Sequence, residues 1–312
     1  MNAIKSLLTR HAYMAKKSVK NNYDLYLLIL PVLVWYILFC YWPMYGVQIA
    51  FKDFNPGLGV TNSPWVGMKH FFRFFNGNFF WRLIGNTIGI SGYSLLVGLP
   101  TPIILAVLFN ELRSKKFKTT AQTISYAPYF LSIVVIVSLI FRFLGSKDSI
   151  VNAALGYLGF EPVKFMSDPK YFWHIYVWTG VWQGIGFSSV LYTAAISGIP
   201  TEQYESARID GATRLRRIWY ITIPNILPTI VIVTILSAGG IMNVGFEKIF
   251  LMQNTLNIEK SEVISTYVYK VGLQSAQFSF SAAVGLFNNV INFFILIATN
   301  EIAKRFGETS LW

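Results

Sequence analysis

Six long apolar runs constrain this chain more than any other feature of its sequence. A helix needs about 20 predominantly apolar residues to cross the hydrocarbon core of a bilayer, and each run is about that long. Several runs contain proline or glycine, which membrane helices tolerate when neighbouring groups satisfy the freed backbone. We predict membrane-spanning helices over residues 25–45, 83–109, 124–144, 172–196, 226–246 and 282–303.

The composition supports a membrane protein. Charged residues make up 13% of the 312 residues and hydrophobic residues 54%, whereas a soluble domain carries about 25% charged residues to cover its surface. Much of this surface must therefore face lipid. The predicted fold class is an all-α membrane protein with six transmembrane helices. It forms a single domain over residues 1–312, with an N-terminal segment 1–24 and a long polar loop at 199–224.

The distribution of positive charge predicts the orientation of the chain. Loops on the same side as the N-terminus carry more Lys and Arg than the loops on the other side, including Arg113, Arg214 and Lys304. This bias is typical of cytoplasmic loops, so both termini are predicted in the cytoplasm. The net charge of +12 is then explained by topology and anionic lipid headgroups, not by nucleic acid.

Motifs that would indicate an enzyme are missing from the sequence. It contains no G-x-x-x-x-G-K-[ST] loop, so the chain cannot bind and split ATP in the P-loop manner. His11, His70 and His174 are far apart, and Cys40 is the single cysteine. We predict no catalytic residue and no metal site in this chain.

The acidic residues bear on how a transporter would be powered. Asp24, Glu111, Glu247 and Glu301 fall at the edges of the apolar runs, and none lies in the middle of one. Proton- and sodium-driven carriers commonly place ionisable groups near the midplane. A self-powered carrier or channel remains the alternative, because backbone carbonyls can also bind sodium.

The loop between the fourth and fifth runs predicts a short helix. Thr201 can cap it, and Glu202 and Glu205 suit its positive N-terminal end. Gly211 suits the left-handed residue that ends a helix. Small residues would let another protein approach closely: Ser206, Ala207 and Gly211. Physical reasoning leaves two interpretations open, a helix that a partner pushes and a solvated loop that only orients the chain.

The same loop resembles the signature of permease subunits of binding-protein-dependent ABC importers. That signature is E-A-A, three residues, Gly, nine residues, then I-x-L-P. The chain has Glu205-Ser206-Ala207, then Gly211, then Ile221-x-Ile223-Pro224 at the same spacing. Ser206 replaces the first Ala, and Ile223 replaces Leu.

The resemblance extends over nearly the whole chain and favours the carbohydrate branch, closest to permeases of polysaccharide or complex-oligosaccharide importers. The residues that carry it are Tyr41-x-Pro43-Met44-Tyr45-Gly46, Phe51-Lys52-Asp53-Phe54-Asn55-Pro56 and Trp65-Val66-Gly67. It implies a type I importer permease in a bacterial inner membrane. The implied partners are a second permease, two ATPase subunits that hold ATP and Mg²⁺, and an extracytoplasmic sugar-binding protein.

The resemblance also implies a role for the loop. The short helix would dock into a cleft of the ATPase, with Glu205 paired to a basic residue, Ala207 closely packed and Gly211 making the turn. The implied coupling residues are Glu205, Ser206, Ala207, Asp210 and Gly211.

Polar and aromatic residues inside the apolar runs are the candidates for contact with a sugar. Hydroxyl groups need hydrogen-bond partners and the C–H faces of a sugar need flat apolar surfaces. The predicted path residues are Trp178, Trp182, Gln183, Asn243, Asn288, Asn289 and Asn292. Interhelical hydrogen bonds by asparagine and interfacial anchoring by tryptophan explain the same pattern equally simply.

Overall fold

A computed structural model of the chain describes residues 22–305. His11 and nearly all of the predicted N-terminal segment 1–24 lie outside the described residues. The chain clusters into two compact units that divide between Met68 and Lys69. The single domain predicted over residues 1–312 stays a prediction.

The first unit contains helix α1, Tyr23–Phe51, and the short helix α2, Gly59–Asn62. The stretch Tyr23–Tyr36 is apolar and exposed along its whole length, as a helix surrounded by lipid requires. After α1 the chain turns back on itself. The Val66 amide donates to the Phe51 carbonyl at 2.8 Å, and the Phe51 and Trp65 rings stack 5.6 Å apart. Two parts of the segment that resembles carbohydrate permeases are thereby brought together.

The second unit is entirely helical over the residues that the structure describes. Its helices are α3 Lys69–Phe75, α4 Phe80–Glu111, α5 Lys115–Phe130, α6 Ile133–Leu144, α7 Ile150–Tyr157, α8 Pro169–Ser197, α9 Thr201–Ile209, α10 Arg214–Gly239, α11 Phe246–Met252, α12 Ile258–Ser261, α13 Ile264–Tyr269 and α14 Phe278–Arg305. Helix α8 packs most extensively against the second half of α4, and α10 packs against α14.

The all-α prediction is confirmed for residues 22–305, but the number of six spans is not. Four described helices are long and apolar enough to cross a membrane, namely α1, α4, α10 and α14, and a fifth is possible if α5 and α6 form one broken span. Helix α8 has 29 residues, or about 44 Å at 1.5 Å per residue, which is sufficient length. Its tryptophan, glutamine, glycine and serine residues make it less apolar than the other four.

Two predicted spans are interrupted. The run at 124–144 bends by 99° between Phe130 and Ile133, where Ser132 caps α6 by accepting from the Val135 amide. The run at 226–246 ends its helix at Gly239, and a non-helical linker, residues 240–245, leads into α11. A third predicted span, α4, is continuous from Phe80 to Glu111 but is distorted at Leu99, because Pro100 lacks the amide that would continue the hydrogen-bond ladder.

Close helix packing depends on Gly186 of α8. A side chain at this position would collide with the backbone of Ser125 in α5, so only glycine lets the two helices approach this closely. The regularly spaced Gly180, Gly184 and Ser188 behave differently. They line a cavity that lies beside α8.

The linker at residues 240–245 depends on two asparagines of α14. The Met242 amide donates to Asn292 Oδ1 at 2.9 Å, and Asn288 Nδ2 donates to Asn243 Oδ1 at 2.9 Å. Both α14 side chains are buried. Asn292 thus pairs the buried Met242 amide, which has no partner within a helix, whereas Asn288 holds the linker through the side chain of Asn243.

Replacing Asn292 by leucine should destabilise the fold. The change leaves the buried Met242 amide without a partner, which costs about 1–3 kcal/mol. Asn289→Leu is the control, because Asn289 is exposed on the same helix. Thermal unfolding of the purified variants in detergent should show a lower midpoint for Asn292→Leu only. Equal midpoints for Asn292→Leu and the unmodified chain would contradict the role of this hydrogen bond.

Candidate functional site

Two adjoining cavities of about 540 and 490 Å³ lie between α4, α8, α10 and the linker. They share six residues: Ser94, Gly98, Pro102, Tyr176, Ser188 and Gly245. The first is bounded by the end of α10 and the linker, and the second by the start of α11. The break in the fifth predicted span therefore forms one wall of this space.

Two of the seven predicted path residues line these cavities. Asn243 borders the first and Gln183 borders the second. Gln183 also donates to the Leu131 carbonyl at 3.3 Å, between α5 and α6. Each of these side chains lies at a break between helices. Each therefore offers polar atoms to a cavity and also forms a hydrogen bond within the fold.

The other predicted path residues lie elsewhere. Asn288 and Asn292 hold the linker from behind, and Asn289 is exposed on the other side of α14. Trp178 and Trp182 are half exposed and lie outside the cavity lining. The Trp178 indole donates to the Tyr93 hydroxyl at 3.0 Å, and this hydroxyl lies 3.0 Å from His174 Nδ1. Neither tryptophan offers its face to the cavities.

The structure adds cavity residues that the sequence analysis did not single out. Lys248 and Tyr176 line the second cavity, and serines of α4 and α10 line the first, including Ser94 and Ser237. Lys248 is buried in α11, outside the apolar spans, and burial lowers the pKa of its amine to about 8. The sequence placed Lys248 among ordinary loop charges. Its burial follows from the position of α11, and no local sequence pattern predicts that position.

The loop at 199–224 does form a helix, α9, but Thr201 does not cap it. Thr201 is the first helical residue, and Pro200 occupies the capping position without a side-chain hydrogen bond. The fixed φ of proline suits the entry to a helix, and the helix starts one residue earlier than the predicted threonine cap would place it. Glu202 lies in the first turn as expected.

The end of α9 is as predicted. Gly211 has φ +74°, in the left-handed region. The Gly211 amide donates to the Arg208 carbonyl at 3.1 Å, and the Ala212 amide donates to the Ala207 carbonyl at 2.8 Å. These two bonds satisfy carbonyl groups that the end of a helix leaves open. The turn after α9 is thus fixed by backbone contacts.

One side of α9 is held by the bundle and the other is exposed. The Tyr204 hydroxyl lies 3.0 Å from Thr222 Oγ1, and Asn225 Nδ2 donates to Gln203 Oε1 at 3.1 Å. Four of the predicted coupling residues are exposed and the fifth is half-buried: Glu205, Ser206, Asp210 and Gly211, with Ala207 half-buried. Ile209 is 87% exposed. The exposed face of α9 therefore carries one hydrophobic side chain beside the carboxylates of Glu205 and Asp210.

Comparison with known proteins gives a family. A family model described as "Binding-protein-dependent transport system inner membrane component" matches residues 98–307. This chain belongs to that family. It is 40% identical to the polygalacturonan/rhamnogalacturonan transport system permease protein YteP of Bacillus subtilis, over 95% of this chain and 92% of the relative.

Two solved structures have the same fold. A bacterial ABC transporter that imports the acidic polysaccharide alginate contains a chain with TM-score 0.87 and 40% identity, covering 94% of this chain and 99% of that one. A second structure of an alginate transporter, in complex with an alginate pentasaccharide-bound periplasmic protein, gives TM-score 0.88 at 39% identity, covering 95% of this chain and 99% of that one. The permease prediction is confirmed, and the protein is a transport component of the bacterial inner membrane, not an enzyme.

Gly211→Val should impair transport while leaving the protein inserted. A β-branched residue resists the left-handed conformation by about 1–2 kcal/mol, so the turn after α9 would shift. Gly211→Asn should retain more transport, because asparagine tolerates this conformation. Gly156→Val in α7 is the control, since Gly156 lies in open space with ordinary helical geometry. Solute uptake per inserted protein is the measurement. Normal uptake by Gly211→Val would contradict a role for this turn.

Proposed function

We propose that this chain is the membrane-spanning subunit of an ATP-driven oligosaccharide importer. It forms the translocation path with a second homologous permease and couples to cytoplasmic ATPase subunits through residues 201–211. The observation that carries the proposal is the geometry of α9, which is anchored on one side through Tyr204 and exposed on the other through Glu205 and Ile209.

The anchoring of α9 suits the transmission of force. Tyr204 links the helix to Thr222, which is buried in the N-terminal half of α10. A push on the exposed face of α9 would therefore be transmitted to the N-terminal half of α10. The other end of α10 is the linker that forms a wall of the cavity. ATP-driven movement at α9 and the shape of the cavity are thus connected through one helix.

The cavity suits a sugar. Serine and tyrosine groups, with Gln183 and Asn243, offer hydrogen-bond partners for hydroxyls, while apolar residues form the rest of the walls. The relatives support a carbohydrate, because YteP is a polygalacturonan/rhamnogalacturonan permease and the two structural neighbours belong to alginate transporters. In this proposal the sugar is delivered by an extracytoplasmic binding protein.

The energy source lies in other subunits. The sequence has no phosphate-binding loop, so ATP and Mg²⁺ would be held by the ATPase subunits and no cofactor by this chain. Docking of these subunits on α9 requires α9 to be cytoplasmic. The Lys and Arg distribution favours the same orientation, with both termini cytoplasmic.

Glu205→Ala should weaken ATPase association or coupling. If the carboxylate meets a basic residue in a closed cleft, removing it leaves that charge unpaired, at a cost of about 2–5 kcal/mol. Glu202→Ala is the matched control at the start of the same helix, where an exposed contact is worth about 0–1 kcal/mol. The measurement is sugar-stimulated ATP hydrolysis by the complete importer in reconstituted vesicles.

Two outcomes would contradict the proposal. Equal hydrolysis by Glu205→Ala and Glu202→Ala would remove the role of Glu205. Hydrolysis of ATP by this chain purified alone, without the other subunits, would contradict the division of work between permease and ATPase.

A further inference from the structure

Lys248 is a buried cation that lacks an acidic partner. Its side chain lies in the wall of the second cavity with only 6% of the residue exposed. The amine donates to the Tyr176 carbonyl at 3.0 Å and lies 4.9 Å from the centre of the Tyr176 ring. No carboxylate of residues 22–305 forms an ion pair with it. Within residues 22–305 the ammonium group therefore donates to one neutral carbonyl and packs against one neutral ring, and neither contact supplies a negative charge.

Two other shielded cations of the second unit are paired with acid. Arg82 and Lys270 both contact the buried carboxylate of Glu262, at 2.8 and 3.0 Å. That cluster keeps one net positive charge, but each of its two cations contacts the carboxylate directly. Lys248 differs because it is buried without any such compensation, and an unpaired buried charge is costly. A cost of this kind is often retained where the charge serves binding.

Nothing large stands between Lys248 and α8. A side-chain carbon added to Gly180 would be in ordinary van der Waals contact with the Lys248 amine, at 3.5 Å, so the amine lies directly beside the small residues of α8. Gly184 and Ser188 continue the same small-residue wall of the cavity. An incoming group could therefore reach the amine from the cavity side.

Glu247 is the acidic residue that precedes Lys248 in the sequence, and it does not pair with the Lys248 amine. It borders the same cavity, but it is exposed and makes no ion pair with Lys248. Adjacent helical residues do not face each other. Burial alone accounts for the lowered pKa of Lys248, which at about 8 leaves the amine mostly protonated at neutral pH. Tyr176 is the other titratable group against it and is neutral in that range.

We infer that the cavity admits an anionic sugar and that Lys248 receives its carboxylate. This inference rests on the proposed import function and names the substrate class as uronate-containing oligosaccharides. The carboxylate would supply the acidic partner that Lys248 lacks, and Gln183 and Ser188 would face the neighbouring hydroxyls. Lys248 is then a specificity-determining residue that distinguishes an acidic sugar from a neutral one.

The test compares an acid with its own neutral form. Vesicles containing the complete importer are supplied with a galacturonate tetramer or with its methyl ester, which has the same rings without the charge. Lys248→Met keeps the apolar stem and removes the ammonium group. We expect uptake of the acid to fall by about 10- to 100-fold, the size of one charge-assisted hydrogen bond. Uptake of the ester should change by less than about twofold, and the Glu247→Gln control should not reduce uptake of the acid.

Chemical rescue separates charge from scaffolding. Cys40 is the single cysteine of this chain, so Lys248→Cys can be made in a Cys40→Ala background. Treatment with 2-aminoethyl methanethiosulfonate rebuilds an ammonium group at about lysine length and should restore uptake of the acid. Methyl methanethiosulfonate adds no charge and should not. The Cys40→Ala importer, treated in the same way, controls for cysteines of the other subunits.

The contradicting results are distinct. An equal loss of acid and ester uptake in Lys248→Met would assign Lys248 to the scaffold and overturn the inference, and so would unchanged uptake of the acid. Wild-type vesicles that exclude the acid overturn it as well, whether or not they take up the ester. Uptake of the acid that needs no ATP would overturn the proposed function while leaving the role of Lys248 intact.

Discussion

The hydrogen bond from the Met242 amide to Asn292 is the contact on which the cavity depends. An apolar helix in a membrane is stable because every interior backbone group is paired within the helix. Ending α10 at Gly239 removes that pairing, and it is tolerated because Asn292 supplies a partner for the Met242 amide while Asn288 holds the Asn243 side chain. The break then lets the chain turn into α11. Without this break the helix would continue through residues 240–245, and α11 would not place Lys248 beside Tyr176.

On the N-terminal side of α10, a few contacts likewise fix the position of α9. Tyr204 meets Thr222, and the turn at Gly211 is fixed by two backbone hydrogen bonds. Helix α9 is therefore held at its end and along one side, while its outer face is left open. A helix placed in this way can transmit displacement, because it cannot absorb a push by bending locally. The bundle joins an exposed docking face to an internal cavity through one interrupted helix.

Much of this could be predicted from the sequence, and the limits have physical causes. The apolar runs predicted the helices of the bundle, and the spacing from Glu205 to Pro224 predicted the family. Local patterns also predicted the left-handed Gly211. The breaks within the helices were harder to predict from the sequence. Hydropathy stays high along the run at 226–246, so it shows no end at Gly239, and the local sign of a bend is the adjacent pair Gly239 and Gly240.

Some site residues could be identified from the local sequence, whereas others depend on how distant helices pack. Asn243 and Gln183 were found because polar residues within apolar runs stand out. Asn288 and Asn292 stood out equally, yet they face the linker and not the cavity. Lys248 could not be found, because its burial is created by α8 across the cavity. Gly180 and Gly184 have the four-residue spacing that is typical of close helix packing, whereas in the structure they line the cavity.

Cross-linking at α9 tests the central claim that its exposed face meets a separate ATPase. A Ser206→Cys variant in the Cys40→Ala background, carrying a short photoactivatable label, would be illuminated in membranes that contain the whole importer. The account predicts a covalent adduct with the ATPase subunit, and none from Tyr157→Cys, which is 93% exposed in α7. A Ser206→Cys label that joins only lipid or the binding protein, in membranes where the importer is active, would contradict the account.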